Sequence, residues 1–180
     1  SELDKLLRDV EESSRRSEET LRKLEKEVRD SSTESERILR ELRDRIKKVA
    51  DDVEKVIRDG KPKEKLVEDA KEFVREVEER VRKSSEDNRK TVEDIERRVR
   101  ESSERNKDSV RRVLEEARKR NGEKLEELEK RLEDLLRRDK KLVDDLRKKL
   151  RDLEKRDRDL VEELRRELEE LLKRVEDAAR

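Results

Sequence analysis

The sequence has no cysteine, histidine, methionine, tryptophan, tyrosine or glutamine, one phenylalanine, one proline and two glycines. Each gap excludes something. Without Cys there is no disulfide framework and no thiolate nucleophile. Without Cys or His there is no ordinary ligand set for zinc, haem or an iron–sulfur cluster. The near absence of aromatics leaves nothing on which nucleobases could stack. No apolar run approaches the ~20 residues of a membrane span, and no signal-peptide core opens the sequence. The 55 basic and 55 acidic side chains are interleaved, so the net charge is zero and no cationic stripe forms for phosphates. No cofactor, no nucleic-acid partner and no membrane partner is expected.

What remains is mostly charge: 61% of the residues are charged and only 27% hydrophobic. Such a balance suggests disorder only when low hydrophobicity comes with a high net charge. Here the charges cancel, and the apolar residues keep a strict order. Glu, Lys, Arg and Leu dominate, which is the composition of long helices.

Two places can break a helix. In "RDGKPK" at 58–63, Gly60 suits a left-handed position just past a helix end and Pro62 the first turn of the next helix. In "KRNGEK" at 119–124, Asn121-Gly122 is a turn signal. At the start, Ser1 is a candidate N-cap with an acid, Asp4, three residues on. The chain is therefore expected to form a single domain over 1–180 with helices at about 2–58, 62–120 and 123–179. At about 1.5 Å per residue each would be a rod of roughly 85 Å.

The apolar positions recur every eighteen residues: Leu3, Leu21, Leu39 and Ile57; Leu6, Leu24 and Leu42; Val74, Val92 and Val110; Leu132, Leu150 and Leu168. Eighteen residues in five turns is about 3.6 per turn, the natural twist of an α-helix, whereas a heptad repeat would impose a left-handed supercoil. The pattern predicts an all-α fold, an antiparallel up-down-up bundle of three long, nearly straight helices. An alternative, in which the second and third segments form one rod, would leave Asp139 and Asp157 to find partners on a second chain.

Polar residues interrupt the stripe at fixed places. The first segment carries Ser13, Ser14, Ser17 and Thr20, then Ser31, Ser32 and Ser35. The second carries Ser84, Ser85, Asn88 and Thr91, then Ser102, Ser103, Asn106 and Ser109. The third has Asp139 and Asp157, followed at the same interval by Val175. Folding the chain up-down-up, with an offset of 122 between the first and third helices, levels Ser17 with Asn106 and Asp139. It levels Ser35 with Asn88 and Asp157, and the apolar Val53, Ala70 and Val175 with one another. An ionised Asp only accepts hydrogen bonds, whereas hydroxyls and amides can donate. A ring of four or more hydroxyls and one amide is the expected cage for each buried carboxylate. The simpler expectation, compatible with the first, is that the serines bond to carbonyls of their own helices.

These residues do not suggest catalysis. No His accompanies the serines, and Asp139 and Asp157 stand five turns apart, roughly 27 Å along one helix. One carboxylate per layer is poor for calcium, and "DGKPK" lacks the rest of a phosphate loop.

Equal helices, minimal loops, fourteen residue types, balanced charge and an eighteen-residue repeat together resemble computationally designed, untwisted three-helix bundles. The serine and asparagine blocks with Asp139 and Asp157 look like hydrogen-bond-network layers built into such a scaffold. The resemblance covers the whole chain. It implies a monomeric synthetic scaffold, not an enzyme, with no partner and no naturally selected function. The alternative is a spectrin-like spacer or a coiled-coil protein-interaction module. Such proteins usually carry aromatics, irregular loops and imperfect repeats.

Overall fold

The structure, a computed structural model, describes residues 2–60, 63–120 and 125–180. Ser1, Pro62, Asn121 and Gly122, expected as cap and turn residues, lie outside the described residues, as does the side chain of Leu3. Three helices make up the described chain: α1 (Glu2–Arg58), α2 (Lys63–Lys119) and α3 (Leu125–Ala179). Among the described residues there is no strand.

The helix ends have local causes. Lys55 and Arg58 occupy the last turn of α1, and Arg118 and Lys119 that of α2, opposite the negative end of the helix dipole. Glu64 in α2, and Glu126 and Glu127 in α3, sit in first turns, where the dipole favours acids. Past α1 the Asp59 amide bonds the Lys55 carbonyl at 3.0 Å and the Gly60 amide the Ile57 carbonyl at 3.3 Å. Gly60 then takes φ 68°, a left-handed conformation that stops the helix and that a residue without Cβ adopts at little cost.

The chain divides into two compact units, each with a stretch of every helix. Unit 1 comprises Ser1–Arg29 and Thr91–Arg151, and unit 2 comprises Asp30–Lys90 and Asp152–Arg180. In unit 1, Val10, Val110, Val113, Ala117, Leu128 and Leu132 form one apolar cluster, so all three helices contribute to it. Leu21, Leu24, Ile95, Val99, Leu146 and Leu150 of the same unit are also buried. In unit 2, Leu39, Leu42 and Ile46 of α1 meet Val74, Val77 and Val81 of α2 and Val161, Leu164 and Leu168 of α3. A second cluster there joins Val53, Ala70, Leu171 and Val175. Leu24 and Leu42, one repeat apart, are both wholly buried. Burial of each such side chain contributes roughly 1.5–3 kcal/mol, and most of the stability of long, charged helices must come from this stripe.

Contacts between helices follow one order in each unit. In unit 1, α1–α2 pairs descend along α2 as they ascend α1: Ser13 with Ser109, then Glu27 with Arg98. In unit 2 they do the same, from Ser31 with Asn88 to Arg45 with Glu76. The α1–α3 pairs instead ascend together, from Ser17 with Asp139 to Glu25 with Lys149, and from Ser35 with Asp157 to Glu54 with Arg174. The single aromatic ring, Phe73, is half-buried beneath Arg45, whose guanidinium carbon lies 5.5 Å from the ring centre.

Candidate functional site

The polar residues on the apolar stripes form two sets, one within each unit. They face other helices because the stripe's period carries them there, and their small side chains leave room for polar contacts. In unit 1, Ser14, Ser17, Ser102, Asn106 and Asp139 are buried, while Ser13, Thr20, Ser103 and Ser109 are half-buried. In unit 2, Ser35, Ser84 and Asn88 are buried, and Ser31, Ser32, Ser85 and Asp157 half-buried; Thr91, also half-buried, falls in unit 1.

In unit 2 the polar groups close a triangle across three helices. The Asn88 amide nitrogen donates to the Ser35 hydroxyl at 2.8 Å and to Asp157 Oδ1 at 2.9 Å. Ser35 itself donates to the same Asp157 oxygen at 3.1 Å, and Ser31 donates to the Asn88 carbonyl at 3.3 Å. Both ends of the amide are thus used, and the carboxylate has two donors.

Unit 1 carries the same residue types in a different arrangement. Ser17 donates to Asp139 Oδ1 at 2.7 Å, the short distance of a charge-assisted bond. That uses its only proton, so in the 3.1 Å contact between Ser17 and Ser102 the donor must be Ser102. The result is a directed chain from Ser102 to Ser17 to Asp139, each link polarising the next. Asn106 instead accepts from Ser14 at 3.1 Å through its carbonyl oxygen, and its amide nitrogen is buried without a partner. Turning the amide over would only move the orphan, since Ser14 could serve either end but not both. Ser13 donates to Ser109 at 3.4 Å.

The carboxylates therefore have fewer donors than the expected ring. Ser17 alone serves Asp139, and Ser35 with Asn88 serves Asp157. The reason is geometric: Ser13, Ser14 and Ser31 bond α2, and each hydroxyl has one proton to give. Every hydrogen bond these serines donate runs to another helix, not to a carbonyl of their own. The hydroxyls of Thr20, Ser32, Ser84, Ser85 and Ser103 make no hydrogen bond among the described residues.

Among the described residues no three His, Cys, Asp or Glu side chains gather into a metal site. A cleft of about 190 Å³ beside the unit 1 set is lined by Ser13, Arg16, Ser17, Thr20, Ser102 and Arg105. The protons of Ser13, Ser17 and Ser102 are all committed elsewhere, so none of these hydroxyls is free to donate into it. No described helix is long and apolar enough to cross a membrane.

Ion pairs frame the sets, and these the sequence pattern does not single out, because long exposed side chains choose partners by rotamer. Arg138 meets Glu18 at 2.9 Å in unit 1, and Arg43 meets Glu163 at 2.9 Å in unit 2. The hydrogen bond from Lys149 holds the Glu25 carboxyl below its usual range, against the partial burial that would raise it. Arg37 does the same for Glu34, and Arg82 for Glu79, each within one helix.

No family model matches the chain, and no curated protein matches it. Among solved structures it matches a chain described as a "Computationally designed three helix bundle". The two are 24% identical over 99% of this chain and 80% of that one, with a TM-score of 0.37. A TM-score that low does not establish a shared geometry.

Proposed function

We propose that this chain is a designed structural scaffold without catalytic activity, a monomer folding as one cooperative domain over residues 1–180. In this reading its two polar sets dictate which helices pair and in what alignment. The observation that carries the reading is the equal offset of the two α1–α3 bonds: Ser17 to Asp139 and Ser35 to Asp157 are both 122 residues apart.

Hydrophobic burial is non-directional, and an apolar stripe that repeats every eighteen residues fits its neighbours almost as well after a slip of eighteen. The polar sets remove that degeneracy. A slip of eighteen that brings Asp139 level with Ser35 would set Asp157 against Val53 and Ala70, a loss of several kcal/mol unless the group neutralises. The opposite slip would set Val175 against Ser35 and Asn88 and leave their donors without the carboxylate. Fixing alignment is the best-attested use of buried polar groups, even where they do not add stability.

The test converts both sets to the sequence's own apolar solution at Val53, Ala70 and Val175. The variant carries Ser17→Val, Asn106→Ala, Asp139→Val, Ser35→Val, Asn88→Ala and Asp157→Val. Light scattering should give the mass of one chain for the parent and a mixture of monomer and larger species for the variant. A variant that remains a sharp monomer, with one set of backbone resonances, would remove the alignment role.

A further inference from the structure

A groove of about 480 Å³ runs between α2 and α3 within unit 1. Its floor is apolar: Val110 and Val143 are buried, and Leu114 and Leu136 half-buried. It exists because α2 places Ser103 there, too small to cover the buried Asp139 that also borders the space. The rim is cationic. Lys107, Arg111, Lys140 and Arg147 border it against the two carboxylates Asp139 and Asp144. Lys107, Lys140 and Arg147 pair with no carboxylate among the described residues, and Arg111 reaches only Asp108, at 3.6 Å. Asp139 Oδ1 is already held by Ser17.

We infer that this groove is a binding site for a small amphiphilic anion, one apolar body carrying a single sulfonate or carboxylate head. The volume lies within the roughly 300–1,000 Å³ of small-molecule sites. The floor removes an apolar body from water, and the net positive rim selects the sign of the head. A neutral body gains only the floor, and a cationic head meets four like charges. The site is separate from the alignment role proposed for the polar sets. Its cationic rim residues, Lys107, Arg111, Lys140 and Arg147, take no part in those hydrogen bonds, although Asp139 borders both.

The test uses the full chain with 8-anilinonaphthalene-1-sulfonate as probe and N-phenyl-1-naphthylamine as its neutral counterpart. The sulfonate should show saturable, one-to-one fluorescence enhancement and bind more tightly than the neutral probe. Reversal of two rim charges, Lys140→Glu with Arg147→Glu, should weaken sulfonate binding at least about fivefold and leave the neutral probe little changed. The same charge change placed on unit 2, Lys47→Glu with Lys48→Glu, should leave both probes unaffected, which separates the rim from net charge. Ser103→Phe, which forfeits no hydrogen bond and fills the space, should abolish both signals while the circular dichroism stays helical.

Unsaturable binding, equal affinity for the two probes, or equal losses in the two charge-reversed variants would overturn the proposal. So would probe binding that falls as protein concentration rises while the mass by light scattering doubles, since that outcome gives the groove to a second copy of the chain.

Discussion

Asn88 and Asn106 hold equivalent places eighteen residues apart on one helix, yet their truncation should have very different consequences. Asn88→Ala removes a charge-assisted bond to Asp157 at 2.9 Å, a neutral bond to Ser35 at 2.8 Å and a longer one from Ser31 at 3.3 Å. With about 1.5–3 kcal/mol for the first and 0.5–1.5 for the second, these two alone amount to roughly 2–4.5 kcal/mol, and the long Ser31 bond adds little. Asn106→Ala removes one neutral bond, from Ser14 at 3.1 Å, and with it a buried amide nitrogen that has no partner. The lost bond costs about 0.5–1.5 kcal/mol and relief of the orphan returns about 1–3, so the net change lies between a loss of about 0.5 and a gain of about 2.5 kcal/mol. The small cavity and the helix-propensity gain of alanine are common to both and cancel in the comparison. Urea unfolding followed by helical circular dichroism gives each change from the midpoint and slope. Asn88→Ala should be the more destabilising by about 2 kcal/mol or more. Equal losses, or a larger loss for Asn106→Ala, would refute the donor accounting.

Two further perturbations probe the helix end and the surface charge. A Cβ added at Gly60 would meet nothing within 4 Å, so Gly60→Ala should destabilise only through its left-handed backbone, by about 1 kcal/mol in urea unfolding. Glu25 is held below its usual carboxylate range by Lys149, so the pair's contribution is complete above the unfolded carboxylate's pKa and disappears as pH falls through the folded value. Glu25→Gln should therefore lower stability by about 0.2–1 kcal/mol near neutral pH and by nothing in strong acid. A difference independent of pH would exclude the ion pair as its source.

The sequence shows helix number, helix lengths and the alignment of helices more plainly than it shows chemistry. Leu24 and Leu42 are buried because an eighteen-residue repeat keeps one face in phase over five turns, and that period is visible in the letters alone. The offset of 122 likewise follows from counting, and Ser17 and Ser35 meet their aspartates at it. The equivalence of Asn88 and Asn106 does not carry through to their bonds. Identical letters at identical phase take different partners, the Asn88 amide bonding Asp157 on α3 and the Asn106 amide accepting from Ser14 on α1. Periodicity fixes which face a side chain occupies but not its χ angles, and hydrogen bonds depend on those angles. The groove over Asp139 is equally hidden, because it depends on the volume that Ser103 leaves unfilled.

The most direct measurement is the urea midpoint of Ser17→Val/Asn106→Ala/Asp139→Val, which rewrites the unit 1 set in the form of Val53, Ala70 and Val175. Replacing a buried polar set by apolar residues of similar volume is often neutral or stabilising by about 1–4 kcal/mol. A midpoint at or above that of the parent, with unchanged slope, is the result expected if the polar sets specify alignment rather than supply stability. A clear fall in the midpoint would contradict that claim.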